Sequence, residues 1–304
     1  MKKVIFMGTP TYADAILAKL IDAEDIEVVA VYTQPDKPVG RKKILTPPVV
    51  KVRALEYDIP VYQPVKLREE SVVSELLEIE CDYIVVAAYG QILPKPILDH
   101  APCINLHASI LPQYRGASPI QQTLLNGDKQ TGVTAMLMEE GLDTGDILKI
   151  EIIDVDKDEM LEGLFDKLTY LAAELTLDVL ENFTNLTPQK QDDTKASYCK
   201  KITKADGLIS FESDAQDIFN KYRAFTPWPG VYLENGLKIK KMKYSQKSYS
   251  GVAGKIVAIE KEFIVVTCKQ GSLEIFNVQP QSKKEMSVIA YINGKRLQIA
   301  DTFL

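Results

Sequence analysis

The chain has 304 residues, of which 46% are hydrophobic and 26% are charged, the composition of an ordinary soluble globular protein with room for two domains. No stretch approaches the roughly 18 uninterrupted apolar residues of a membrane span, which excludes a membrane-spanning helix and favours a cytoplasmic location. The formal charge of −6 is unevenly divided, because residues 1–194 carry 18 Lys and Arg against 32 Asp and Glu, and residues 195–304 carry 18 against 10.

Strand-like and helix-like runs alternate through the first half of the chain. The predicted strands cover residues 4–7, 28–33, 59–62, 83–88, 104–108 and 133–138. The predicted helices cover residues 12–21, 49–57, 71–78 and 119–126. This alternation predicts an α/β, Rossmann-like, mostly parallel sheet with helices on both faces. Ligands of such sheets bind at the carboxyl ends of the strands, where Gly90 and His107 fall.

The first predicted strand stops at Gly8, and the turn Gly8-Thr9-Pro10 follows it. Because the apolar run is so short, we interpret it as a buried strand and not as a signal peptide. A dinucleotide-binding fingerprint needs three glycines at set spacing. Only Gly8 is present, so the predicted topology lacks a dinucleotide site.

A basic loop follows the second predicted strand. Residues 33–48 carry Lys37, Arg41, Lys42 and Lys43 among four prolines, which predicts an exposed and extended segment. Such a loop is suited to binding the phosphates of a substrate that lies near the carboxyl ends of the strands. A merely solvated charged loop remains the alternative on composition alone.

The predicted strand over residues 104–108 carries two polar side chains. Because side chains alternate along a strand, Asn105 and His107 project from the same face. With a carboxylate such as Asp143 on a glycine-flanked loop, an amide and an imidazole suffice for acyl transfer to an amine, and no metal is needed. A packed histidine, a loop-bonding asparagine and an ordinary turn aspartate are the plainer alternatives.

The four cysteines have no paired spacing, so neither a zinc site nor a thioredoxin-like motif is indicated. Cys103 lies next to the candidate site in sequence. We interpret it as a reduced core residue and not as a nucleophile, because no basic partner except His107 is evident.

The chain changes character after a long predicted helix over residues 159–183. Residues 188–205 are polar and aperiodic and predict an interdomain linker. A short helix over residues 215–222 and β-like runs over 231–233, 237–242, 254–259, 263–267 and 273–278 follow. They predict a smaller, OB-like β-barrel domain. The charge of +8 over residues 195–304, which include part of the linker, fits a polyanionic partner, or simply keeps a small domain soluble.

The candidate catalytic residues lie in two recognisable motifs. The segment Asn-Leu-His-Ala-Ser-Ile-Leu-Pro over residues 105–112, with Gly-Leu-Asp-Thr-Gly-Asp over 141–146, resembles the folate-dependent formyltransferase family. The common pattern there is Asn-x-His-x-Ser-Leu-Leu-Pro followed by Asp-x-Gly, and Ile110 replaces the usual leucine. Segments over residues 6–10, 34–41, 88–94, 116–121 and 223–229 extend the similarity over essentially the whole chain, to the branch whose acceptor is initiator methionyl-tRNA.

This resemblance implies a full set of roles. Residues 1–187 are expected to be the catalytic domain, 188–205 the linker and 206–304 an OB-like tRNA-binding domain. The expected catalytic residues are Asn105, His107 and Asp143. The formyl donor 10-formyltetrahydrofolate is expected to lie against Ser109, Ile110, Leu111, Pro112, Gln91, Ile92 and Leu93. The expected tRNA contacts are Lys37, Arg41, Lys42 and Lys43, although the family commonly has a glycine between the arginine and the lysines.

The expected reaction is transfer of the formyl group to the α-amine of initiator methionyl-tRNA, by a monomer that uses no metal. A sugar-nucleotide formyltransferase shares the donor site but should lack the basic loop. A 10-formyltetrahydrofolate hydrolase uses the same three residues with water as nucleophile. A noncatalytic tRNA-binding factor has no need of them.

Overall fold

The computed structural model of the chain describes residues 1–40 and 42–303. The described helices are α1 (Thr11–Ile21), α2 (Val49–Glu56), α3 (Glu70–Leu77), α4 (Lys95–Leu98), α5 (Pro119–Asn126), α6 (Leu161–Asn182), α7 (Ala215–Phe225) and α8 (Val288–Lys295). The described strands are β1 (Lys2–Gly8), β2 (Ile26–Tyr32), β3 (Lys37–Val39), β4 (Ile44–Thr46), β5 (Val61–Tyr62), β6 (Tyr83–Ala87), β7 (Cys103–His107), β8 (Arg115–Gly116), β9 (Gln130–Leu137), β10 (Ile147–Asp154), β11 (Tyr198–Cys199), β12 (Val231–Tyr232), β13 (Lys238–Tyr244), β14 (Ile256–Ile259), β15 (Ile264–Thr267), β16 (Ser272–Gln279) and β17 (Met286–Ser287).

The larger sheet has seven strands in the order β10-β9-β7-β6-β1-β2-β5. The strands β5, β2, β1, β6 and β7 run parallel. β9 is antiparallel to β7, and β10 is antiparallel to β9. Because the chain goes first from β1 to β2 and later to β6 on the opposite side, the strand order reverses at β1. The carboxyl edge at such a reversal is the usual ligand-binding position of an open α/β sheet.

Both faces of the central strand are buried. Val4, Ile5, Phe6 and Met7 of β1 have no exposed surface. One face of the sheet packs in a cluster that includes Ile5 and Met7 together with Tyr32 of β2, while the alternate residues of β1 point to the other face. A fully buried aliphatic or aromatic side chain contributes about 1.5–3 kcal/mol, so these strands fix the frame on which the site is built.

The predicted α/β class is confirmed, with its mostly parallel sheet followed by a smaller β domain. Among the elements that were not predicted, two concern the sheets and the basic loop. β10 forms the edge of the larger sheet, and the basic loop contains the short antiparallel pair β3–β4.

The second sheet is antiparallel throughout. Its strands follow the order β12-β13-β16-β15-β14. β17 pairs with Asn277 and Val278 near the end of β16. Apolar residues of β13 and β16 are buried, including Ile239, Met242, Ile275 and Val278, and the pairing of these two strands is irregular at Lys241. In the described part of the chain, the strand pairing forms an open path, and no pairing between β12 and β14 closes it into a barrel.

The chain divides into two compact units. The N-terminal unit comprises residues 1–119, 130–154 and 164–199, and the C-terminal unit comprises residues 120–129, 155–163 and 200–304. Much of the predicted linker thus belongs to the N-terminal unit, where Gln189 pairs with Ile147 through backbone hydrogen bonds. Over the described ranges, no helix combines the length and the apolar character that crossing a membrane requires.

Candidate active site

The candidate site lies at the carboxyl end of β7, which ends at His107. The turn that follows is tied down by its own side chains and by β9. The Ser109 hydroxyl donates to the Gln113 carbonyl at 2.6 Å, and the Thr134 hydroxyl donates to the Ser109 carbonyl at 2.7 Å. The Leu111 amide in turn donates to the Thr134 hydroxyl at 3.1 Å. This rigid turn fixes the end of the strand, and therefore the direction of the imidazole.

A backbone carbonyl sets the tautomer of His107. The imidazole Nε2 lies 2.9 Å from the carbonyl oxygen of Tyr114. Since a carbonyl only accepts, Nε2 carries the hydrogen and donates it. In the neutral ring Nδ1 is then the nitrogen that is free to take a proton.

Asp143 lies on the Nδ1 side of the imidazole. Its Oδ2 is 3.7 Å from Nδ1, too far for a hydrogen bond but close enough to stabilise a positive charge on the ring. The same oxygen accepts a 2.7 Å hydrogen bond from the backbone amide of Gly116. The carboxylate is therefore anchored to the backbone of β8 and faces the imidazole as a counter-charge.

The glycine at this anchor is required by space. Gly116 has a φ of +115°, and a Cβ there would lie 2.4 Å from the carbonyl oxygen of Cys199 on the neighbouring strand β11. No larger residue fits without moving the amide that holds Asp143.

Asn105 completes the group. Its side-chain nitrogen donates to Oδ1 of Asp143 at 3.4 Å, and this contact sets the orientation of the amide because a carboxylate only accepts. One N–H faces the carboxylate, and the second is directed elsewhere. Asn105 and His107 are nearly buried, and the side chain of Asp143 is 13% exposed. The three predicted side chains are thus brought together by β7 and one loop.

Comparison with known proteins decides the family. A formyl transferase family model matches residues 1–180, and a model of the formyl transferase C-terminal domain matches residues 201–296. A methionyl-tRNA formyltransferase of Sulfurimonas denitrificans is 65% identical over 300 residues, which cover 99% of each chain. One of Campylobacter jejuni is 49% identical over 305 residues, again covering 99% of each chain. The chain belongs to the methionyl-tRNA formyltransferase family. As a member, it is a formyl-transferring enzyme.

Solved structures share the fold at much lower identity. An N-formyltransferase of Helicobacter canadensis, in complex with folinic acid and dTDP-3-aminofucose, has a TM-score of 0.69 and 18% identity, covering 91% of this chain and 99% of that one. HypX of Aquifex aeolicus, in complex with tetrahydrofolic acid, has a TM-score of 0.60 and 14% identity, covering 100% of this chain and 49% of that one.

The residues predicted to contact the folate divide by exposure. The side chains of Leu93, Ser109 and Leu111 are buried in the core, so only their main chain can face a ligand. Ile110 and Pro112 are half-buried.

The two remaining predicted folate contacts differ sharply in what their side chains do. The amide of Gln91 is occupied, because its oxygen accepts from the Leu67 backbone at 2.7 Å and its nitrogen donates to the Pro64 carbonyl at 2.9 Å. Ile92 is 83% exposed. In this member of the family, Gln91 organises the loop, and Ile92 presents an apolar surface.

The predicted tRNA contacts lie on and around the short hairpin β3–β4. Lys37, Lys42 and Lys43 are exposed, and the Lys43 amide closes the turn by donating to the Gly40 carbonyl at 3.2 Å. Arg41 lies outside the described residues. The hairpin also exposes the apolar side chains of Val39, Ile44 and Leu45.

Burial suppresses the reactivity of Cys103, the cysteine that lies nearest the candidate residues in sequence. Desolvation raises the pKa of the Cys103 thiol to about 12, and the sulfur donates to the Ala101 carbonyl at 3.4 Å. The thiolate that a nucleophile requires is therefore scarce at neutral pH. Among the described residues, no group of three or more His, Cys, Asp or Glu is placed to hold a metal ion.

Two backbone groups of the site were not predicted from the sequence, the carbonyl of Tyr114 and the amide of Gly116. Both are backbone groups, so their residue types carry no chemical signal. Only the glycine, by its need for space, could have indicated that backbone approaches closely at this point.

Proposed function

We propose that the chain transfers the formyl group of 10-formyltetrahydrofolate to the α-amine of initiator methionyl-tRNA. The observation that carries this proposal is the grouping of Asn105, His107 and Asp143 at the carboxyl end of β7, in a chain that is 65% identical over 99% of its length to a curated methionyl-tRNA formyltransferase.

The amide of Asn105 is assigned to the developing oxyanion. Attack of the amine on the formyl carbon places negative charge on the formyl oxygen. One N–H of Asn105 already bonds Asp143, which leaves the second as a donor of fixed direction. Donors held in place before the reaction stabilise such charge without reorganising at the moment of transfer.

His107 is assigned to the proton of the attacking amine. Because Nε2 is committed to the Tyr114 carbonyl, the amine proton goes to Nδ1. The imidazolium that forms has the carboxylate of Asp143 3.7 Å away, and this counter-charge lowers the energy of the cation. The proton can then be passed to the departing nitrogen of the donor.

The folate is assigned to the surface beside this group. Support comes from the formyl transferase family model and from the two solved relatives of similar fold that hold folinic acid or tetrahydrofolic acid. Exposed Ile92 and half-buried Ile110 and Pro112 supply apolar contact for a flat ring system. The main chain around Leu93 supplies polar groups for its polar edge.

The tRNA acceptor is favoured over a sugar nucleotide by two features. Full-length relatives at 49–65% identity are named methionyl-tRNA formyltransferases, whereas two solved sugar N-formyltransferases share only 19% identity with this chain. The exposed lysines of the β3–β4 hairpin supply the positive charge that a nucleic-acid acceptor needs.

The test is to incubate the enzyme with 10-formyltetrahydrofolate and methionyl-tRNA and to measure formyl-methionyl-tRNA. His107→Ala serves as the inactive control and should fold normally. Formation of tetrahydrofolate and formate without formylated tRNA would replace the proposal with a hydrolase. Formylation of an amino-sugar nucleotide in preference to the tRNA would replace it with a sugar N-formyltransferase.

A further inference from the structure

One side chain of the predicted linker reaches into the active-site loop. The amide nitrogen of Gln191 donates to the backbone carbonyls of Asp143 at 2.9 Å and Gly145 at 2.8 Å. Its oxygen accepts from Nε of Arg115 at 3.1 Å and from a terminal guanidinium nitrogen at 2.8 Å. The amide therefore uses both of its hydrogens and its oxygen at once.

The guanidinium fixes which way this amide points. Arg115 only donates, so the oxygen of Gln191 must face it and the nitrogen must face the loop. Arg115 is 1% exposed, and a buried cation needs all the acceptors it has. A second acceptor, the carboxylate of Asp193, lies 2.8 Å away. Arg115 thus holds Gln191 in one orientation, because loss of this acceptor would leave the buried guanidinium with fewer hydrogen-bond partners.

The loop that Gln191 bonds has an uncommon backbone conformation. Asp143 has a φ of +55°, a left-handed conformation that few residues with a side chain adopt, although aspartate tolerates it better than most. Two residues on, a Cβ at Gly145 would lie 1.8 Å from the carbonyl oxygen of Leu137, so the loop runs tightly against the end of β9. The hydrogen bonds from Gln191 fall on the carbonyl of Asp143, the left-handed residue, and on that of the closely packed Gly145.

We propose that Gln191 is a positioning residue for the formyl transfer, which holds the backbone of Asp143 so that the carboxylate stays opposite Nδ1 of His107. The assignment rests on the proposed function and deepens it. Gln191 acts through Asp143. Arg115 orients the amide of Gln191, and the backbone amide of Gly116, next in sequence, donates to the carboxylate. The same short strand β8 therefore fixes both ends of the catalytic aspartate.

Two substitutions at Gln191 separate donation to the loop from support of the buried arginine. Gln191→Met keeps the length of the side chain and removes both functions. Gln191→Glu keeps an acceptor for Arg115 but cannot donate to the two carbonyls. Gln189→Met is the matched control, because this glutamine is exposed on the same segment and pairs with Ile147 through its backbone only.

Steady-state kinetics with both substrates give the first readout. Because misplacement of a catalytic group by about 1 Å costs up to about 100-fold in rate, we expect kcat to fall at least about tenfold in both Gln191 variants, with the KM values unchanged and Gln189→Met behaving as wild type. Recovery of kcat in Gln191→Glu would show that Gln191 only supports Arg115, and wild-type kcat in Gln191→Met would also overturn the proposal. Should Gln191→Met not fold, Gln191→Glu carries the test.

The backbone amide of Gly116 gives a readout that does not depend on turnover. Arg115-Gly116 is the only Arg-Gly pair in the sequence, so carbonyl-¹³C arginine with ¹⁵N glycine yields one assigned NMR signal. If the carboxylate of Asp143 withdraws, this amide loses its 2.7 Å acceptor, and its signal should shift and exchange faster with solvent. An unmoved signal in both Gln191 variants contradicts the positioning role even if the wild type formylates tRNA. A moved signal in a protein that formylates no tRNA contradicts only the proposed function.

Discussion

At the scale of single residues, backbone groups orient the side chains that we propose to be catalytic. The Tyr114 carbonyl selects the tautomer of His107, and the Gly116 amide holds the carboxylate of Asp143. The side chains supply the chemistry, but neither the imidazole nor the carboxylate orients the other through a direct hydrogen bond. The imidazole Nδ1 and the carboxylate lie 3.7 Å apart, so they interact through charge, and the attraction becomes strong only when the ring is protonated.

Removal of the amide of Asn105 should affect the rate far more than binding. We expect Asn105→Ala to lower kcat by about 10²–10³-fold, equivalent to about 2.7–4 kcal/mol, because loss of one oxyanion donor costs that much in comparable sites. The measurement is single-turnover formylation of methionyl-tRNA, with circular dichroism to confirm folding. Asn185→Ala, at an exposed asparagine, is the control. A wild-type rate in Asn105→Ala would remove Asn105 from the mechanism.

Cys103 should be dispensable for catalysis. Its thiol is buried and its pKa is raised to about 12, so Cys103→Ala should keep wild-type kcat while losing about 1 kcal/mol of stability through a small cavity. Kinetics and urea unfolding measure the two effects. Loss of turnover without loss of stability would contradict this prediction and favour Cys103 as a nucleophile.

At the scale of elements, the β3–β4 hairpin is expected to serve the acceptor and not the donor. Neutralising two exposed charges in Lys42→Gln/Lys43→Gln should raise the KM for methionyl-tRNA and leave the KM for the folate unchanged. The slope of log KM against log salt should fall by about 1 for each phosphate contact that is lost.

A matched pair of lysines exists at the opposite edge of the sheet. Lys2 and Lys3 begin β1 and pair with Asp25 and Glu80 at the surface, where ion pairs contribute little to stability. Lys2→Gln/Lys3→Gln removes the same net charge. An equal rise in the KM for tRNA in this control would assign the effect to overall charge and not to the hairpin.

The elements that could be predicted are those with an unambiguous hydrophobic pattern. β1, β6 and β7 are buried on both faces, and α5 runs over the residues that its pattern predicted. β10 was not predicted, although Lys149 and Glu151 alternate with its apolar residues in the pattern typical of a half-buried edge strand. β3 and β4 were missed because each has three residues, all exposed, and only their mutual pairing marks them as strands.

The candidate site was predictable only in its side-chain chemistry. The spacing of Asn105 and His107 follows from strand alternation, and Asp143 was named by its glycine-flanked loop and by resemblance. Gln191 was not predictable, because residues 188–205 are polar and aperiodic and therefore resemble a linker. Tertiary contact with a buried arginine gives that glutamine its role, and sequence composition does not record such contacts.

At the scale of the whole molecule, charge is divided between an acidic first part and a basic second part. Residues 1–194 carry a formal −14 and residues 195–304 a formal +8. Part of the positive charge is concentrated on one strand of the second sheet. The ammonium groups of Lys241 and Lys243 lie 5.3 and 5.8 Å from the ring centre of Phe276, and Phe263 packs against that ring at 5.1 Å. Aromatic rings beside lysines are typical of surfaces that bind nucleic acid without reading its sequence.

This aromatic and basic face should add affinity for tRNA without taking part in the chemistry. We expect Lys241→Gln/Lys243→Gln to raise the KM for methionyl-tRNA severalfold and to leave kcat at saturating tRNA unchanged, because the site in the N-terminal unit is intact. Lys283→Gln/Lys284→Gln removes the same charge from an exposed loop after β16. If both pairs weaken tRNA equally, the +8 charge acts as a diffuse field. If only the first pair does, the face around Phe276 is the contact, and Phe276→Ala should reproduce the loss at high salt, where stacking persists after the phosphate contacts are screened.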